Sequence, residues 1–63
     1  MEDKWILINK DSGNRNTYYH DAFNQLADTC KSLLALNLDY VYKIEYWKDK
    51  TLEETDKMSD YFS

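Results

Sequence analysis

The sequence predicts an α+β domain, a three-stranded antiparallel sheet with one helix packed on one face (ββαβ), followed by an acidic C-terminal tail or short helix. Three observations carry this. Residues 40–47 place four aromatics in eight positions and alternate as a strand does. Phe23, Leu26, Ala27, Cys30, Leu33 and Leu34 recur at three- and four-residue steps, which makes one apolar helical stripe. Residues 11–16 gather turn formers around Gly13, the only glycine, between two β-prone segments.

The elements follow in order. Residues 4–10 read as a strand whose centre, Trp5 to Ile8, is apolar on both faces, as in a central strand. After the turn, Thr17, Tyr18, Tyr19 and His20 form a short return strand of a hairpin. Asp21 is the expected N-cap of the helix, because its carboxylate can accept a first-turn N–H. Asn24, Gln25, Asp28, Lys31 and Ser32 fill the face opposite the stripe, and Asn37 suits the left-handed residue that ends a helix. In the third strand Tyr40, Tyr42, Ile44 and Tyr46 point one way, and Val41, Lys43, Glu45 and Trp47 the other. A return beside the first strand puts the first set against the helix. Val41 and Trp47 then face the open side, with either Trp5 and Leu7 or Ile6 and Ile8.

Composition changes after Asp49, so residues 1–50 are read as the domain and 51–63 as an extension. Thr51 and Glu54 have capping-box spacing. A second helix to about Tyr61, with Leu52, Met58 and Phe62 on one side, is one reading, and a solvated tail is the other. Asp49, Glu53, Asp56 and Asp60 would line one ridge of such a helix.

At 63 residues the chain is one domain, of a size that buries only about 60% of its unfolded surface. One cysteine excludes an internal disulfide, and one histidine with one cysteine cannot make a structural zinc site. No cofactor motif occurs. Oligomerisation is the remaining staple, and the ten aromatics supply apolar area for it, so a homodimer is expected. Cys30, an N-terminus unlike a signal peptide, and the lack of a membrane-spanning apolar run point to the cytoplasm. The net charge is −4, of which −3 falls on residues 51–63. An acidic chain is poorly suited to grip phosphates and suits a basic protein groove better.

No catalytic constellation can be assembled around His20, and Cys30 lies inside the apolar stripe as a small hydrophobe. Tyr40, Tyr42 and Tyr46 could stack single-stranded bases, but the lysines of the strands are accompanied by acids. Phe23, at the start of the stripe, is a candidate core residue and a candidate interface anchor.

The segments Asp11-Ser12-Gly13, Tyr18-Tyr19-His20 and Asp21-Ala22-Phe23, with the element order and the acidic, aromatic-rich composition, resemble the small uracil-DNA glycosylase inhibitors of the phi29-like phages. The likeness covers about forty-five residues. It implies a homodimer that imitates DNA in the enzyme's DNA-binding groove, with a phenylalanine near the helix start as an apolar plug. Phe23 takes that position, with Ala22 as an extra residue between acid and aromatic, and the extension after Asp49 has no counterpart. A small non-enzymatic interaction protein is therefore expected, concretely a phage or mobile-element inhibitor of a host DNA-processing or defence enzyme. Its partner would be met by Phe23, Glu53, Asp56 and Asp60, and its dimer or sheet-face interface would use Trp5, Val41 and Trp47. The alternative is a single-stranded nucleic-acid module using the tyrosine face.

Overall fold

The computed structural model describes residues 3–57, with side chains described through Glu53. The first strand, β1, runs Asp3–Asn9 and the second, β2, runs Arg15–Tyr19; they pair antiparallel, with Trp5 opposite Tyr18 and Leu7 opposite Asn16. The turn between them is held by Asn9. Its Oδ1 accepts the N–H groups of Asp11 and Ser12 at 2.9 and 3.1 Å, while its carbonyl accepts Gly13 N–H at 2.8 Å. Gly13 sits at φ +79, which glycine adopts without a Cβ penalty.

The helix α1 spans Phe23–Ala35. Asp21 does not cap it. A 3-10 turn at His20–Ala22 leads straight into the helix, Phe23 N–H bonds His20 carbonyl, and Ala22 holds the cap position. The backbone itself thus occupies the place that a carboxylate cap would take. The other end is as expected. Asn37 has φ 58, Leu38 N–H donates to Leu33 carbonyl at 2.9 Å and Asn37 N–H to Leu34 carbonyl at 3.1 Å. These two bonds make a Schellman motif.

The third strand, β3, is Tyr42–Lys48, two residues shorter at its start than the aromatic pattern predicts. Asp39–Val41 form a 3-10 turn instead, closed by Val41 N–H on Leu38 carbonyl at 3.1 Å. From Tyr42 onward the predicted faces hold. Antiparallel pairing with β1 sets Trp5 against Tyr46 and Leu7 against Ile44.

The sheet has four strands rather than three, in the order β2-β1-β3-β4. The fourth, β4, is Thr51–Lys57 and pairs antiparallel with β3. Neither the tail nor the helix reading holds over these residues; Met58, Asp60, Tyr61 and Phe62 lie outside the described residues. The physical reason is the pairing that β3 offers. Asp49, at φ 57, and Lys50 turn the chain back, and the outer edge of β3 offers a ladder of unpaired backbone groups. A helix running only from Thr51 to about Tyr61 is below the length at which helices persist alone. Opposite Trp47 and Tyr46 stand Leu52 and Glu54, so Glu53 is the extra residue of a bulge.

One face of the sheet lies under α1. Trp5, Leu7, Leu26, Cys30 and Ile44 form the buried cluster, and Tyr18, Phe23, Leu33, Leu34, Tyr42 and Tyr46 pack around it. Leu26 and Cys30 are fully buried. Leu26→Ala should therefore cost about 2–5 kcal/mol, enough to unfold so small a domain, as read by urea titration followed by far-UV circular dichroism. Asn37→Val, a β-branched residue at positive φ, should lower stability by about 1–3 kcal/mol, whereas Asn37→Gly should leave it unchanged or raise it.

Candidate interaction surfaces

The residues singled out in the sequence fall in different places. Trp5 belongs to the core rather than an interface. Its ring meets Phe23 edge-on at 4.8 Å between centroids and lies 5.2 Å from Tyr46. The register decides this: Trp5 stands opposite Tyr18 and Tyr46, both on the helix face. Phe23 is half-buried against Trp5 and does not project as a plug. The tyrosine platform is not offered either, because Tyr42 and Tyr46 pack beneath α1 and Tyr40 has left the sheet. Val41 lies in the 3-10 turn, where its carbonyl accepts Lys10 N–H at 2.8 Å. Glu53 is exposed at the bulge and Asp56 is on β4 opposite Ile44, so no helical acidic ridge joins them. Asp60 lies outside the described residues.

Trp47 does face away from the helix, and it joins a row that crosses all four strands. Tyr19, Lys4, Trp47 and Leu52 are successive cross-strand partners on β2, β1, β3 and β4. Thr17, Ile6 and Glu45 make the next row, and Arg15, Ile8 and Lys43 the third. The open pair of β1 is thus Ile6 and Ile8, yet each is only 6% exposed. Long polar side chains cover them. The Arg15 guanidinium meets the Glu45 carboxylate at 3.3 Å, and these two residues stand opposite Ile8 and Ile6, so the pair crosses β1 diagonally. The same Glu45 oxygen accepts Trp47 Nε1–H at 3.1 Å. Lys4 Nζ sits 5.5 Å from the Trp47 ring centroid, within cation–π range. Residues 51–57 widen the sheet sideways and do not fold over this face.

Two grooves are formed among the described residues. One, of about 490 Å³, lies at the hairpin end between Lys4, Tyr19, Asp49, Lys50 and Thr51. The other, of about 470 Å³, is lined by Trp5, His20, Asp21, Phe23 and Asn24. Among the described residues no cluster of three or more His, Cys, Asp or Glu side chains could hold a metal ion, and no helix is long and apolar enough to cross a membrane.

The two most exposed large apolar side chains among the described residues, Tyr40 and Leu36, lie elsewhere, on the connection between α1 and β3, with Leu38 between them. Leu36, Leu38 and Tyr40 are 66, 39 and 72% exposed. Their backbone is nevertheless fastened by the Schellman bonds, by Leu36 N–H on Ser32 carbonyl at 3.1 Å, and by the 3-10 turn. The sequence pattern ends the helix at Asn37 and has Leu38 and Asp39 lead into the third strand, with nothing in it to single out Leu36 and Leu38 as exposed. The signal that could have found them is the consequence of Asn37, whose left-handed backbone turns the flanking residues off the core.

No protein-family model, curated protein or solved structure matches the chain.

Cys30 is closed off beneath α1, and burial pushes its thiol up from 9.0 to about 11. The folded chain keeps this proton at a pH where the unfolded chain has lost it. Its contribution is therefore complete below pH 9 and is lost as pH rises from about 9 to 11. Urea titrations at these pH values should show a steeper loss of stability for wild type than for Cys30→Ala, with a difference of about 1–3 kcal/mol.

Proposed function

We propose that the chain is a small non-enzymatic interaction protein. Its concrete role in this reading is that of a phage or mobile-element inhibitor that occludes a host DNA-processing or defence enzyme. The observation that carries a protein-docking role is the 36–40 connection, where three large apolar side chains stand exposed on a hydrogen-bonded frame. An apolar group held on a rigid loop loses little entropy when it docks, so most of its burial energy survives as affinity.

We assign self-association to this end. Two copies joined at Leu36, Leu38 and Tyr40 leave the outer face of α1 and the 3-10 turn before it free, where Asn24, Gln25 and Asp28 of the helix and Asp21 of the turn are exposed. Carboxylates and amides on a helix face suit the basic groove of an enzyme that handles DNA. The acidic balance and the resemblance noted above favour the same class of target. The face-to-face alternative, pairing two open sheet faces, would bring Lys4, Arg15 and Lys43 of both copies together and is disfavoured by charge.

Light scattering behind size exclusion should give a dimer, and Leu36→Ser with Tyr40→Ser should return a monomer near 7.6 kDa. The two changes together should weaken self-association at least tenfold. A wild-type monomer removes the dimer. Affinity capture from bacterial lysate should lose its target when Asp21 and Asp28 are both changed to Lys; capture unaffected by that reversal removes docking by the helix face.

A further inference from the structure

The charges of the chain are sorted by the fold. Lys4, Arg15 and Lys43 lie on the open face of the sheet by register, and Lys50 stands at the groove beside Lys4. Two acids accompany them. The Glu45 carboxylate is already shared between Arg15 and Trp47 Nε1, and Asp49 lines the groove. This face is therefore cationic on a chain whose net charge is −4. Its aromatics are Tyr19, 44% exposed, and Trp47, each one strand away from Lys4.

We propose that the open sheet face and its adjoining groove bind single-stranded nucleic acid. The occupant is argued from charge and from shape together. An anion is favoured by four cations whose acidic neighbours in the rows and groove just described are Glu45 and Asp49. A polyanion is favoured because the cations are spread: Lys4 and Lys43 lie in the first and third rows, about 13 Å apart along the strands. A strand of bases also uses the aromatics, since every base has a π-face that can stack on Tyr19 or against the edge of Trp47. The groove at the hairpin end is large enough to take a base or a phosphate between Lys4, Lys50 and the Tyr19 ring. Duplex DNA fits less well, because its bases are already stacked and the sheet is broad rather than inserted in a groove. An acidic peptide would satisfy the charges but leave the flat aromatic row without a stacking partner.

The surface is separate from the 36–40 docking end, and the proposal stands whether or not that end dimerises. The test is fluorescence anisotropy with labelled single-stranded oligothymidylate on the full chain. Binding should be measurable at low salt and weaken about 20- to 50-fold between about 50 and 200 mM, the dependence given by three to four phosphate contacts. Tyr19→Ala should weaken it about tenfold. Lys43→Gln, a mild exposed-face change, should lower the salt slope by about 0.7, and Lys4→Glu with Lys43→Glu should abolish binding while circular dichroism shows the fold retained. Leu36→Ser with Tyr40→Ser should leave binding unchanged. No binding at low salt overturns the proposal. So does equal binding of a poly-glutamate peptide, which would show that the face reads charge alone and prefers acidic protein. An unaltered affinity in folded Tyr19→Ala overturns the stacking on which the choice of nucleic acid rests.

Discussion

Everything in this small domain depends on the contact between the α1 stripe and the centre of the sheet. Leu26 and Cys30 from the helix meet Leu7 and Ile44 from paired strands, and these four side chains are the fully buried ones. No disulfide reinforces them, since the single cysteine is free. The aromatic ring around them, with Trp5 between Phe23 and Tyr46, extends the apolar area of the core to its edges. A chain of this size has few other sources of stability, so the register of β1 between β2 and β3 is the central constraint. A slip by one residue would exchange Trp5 and Leu7 for Ile6 and Ile8 and break the match to the helix.

The opposite face solves a different problem. Ile6 and Ile8 are as apolar as the core, yet no second layer covers them. Arg15, Glu45 and Trp47, joined through one carboxylate oxygen of Glu45, stand beside them on this face, with Lys43 in the row of Ile8. An exposed ion pair of this kind adds little energy by itself, in the range of about 0–1 kcal/mol. Its larger effect is geometric, because it lays two long side chains across β1 and holds the Trp47 indole beside them.

Much of this was legible in the sequence. The β1 run, the Gly13 turn, the helix stripe, the left-handed Asn37 and the alternation of residues 42–47 all follow from local pattern, and the structure has each. The misses have specific causes. The apolar run of β1 has no period, so it could not say whether Trp5 or Ile6 meets the helix; only cross-strand register does. The hairpin at Asp49 and Lys50 lacks glycine, and the capping-box spacing of Thr51 and Glu54 imitates a helix start. What removed the helix was the open edge of β3, a tertiary feature with no local signature. The sorting of charge was hidden for a similar reason. Lys4, Arg15 and Lys43 are far apart in the chain and each has acids near it in sequence, so their sum appears only once three strands are aligned.

The bulge at Glu53 has an effect on the outermost strand. A regular β4 would present an even row of amide and carbonyl groups along its free side, the form on which further strands accrete. An extra residue breaks that row near its middle, and Glu53 is exposed there. Sequence adds Glu54 and Asp56 to the same short strand. A second β4 laid alongside would meet both a kink and like charge. Among the described residues the sheet ends at β4 on this side, and the bulge and the charge of that strand disfavour addition of a further strand along this edge.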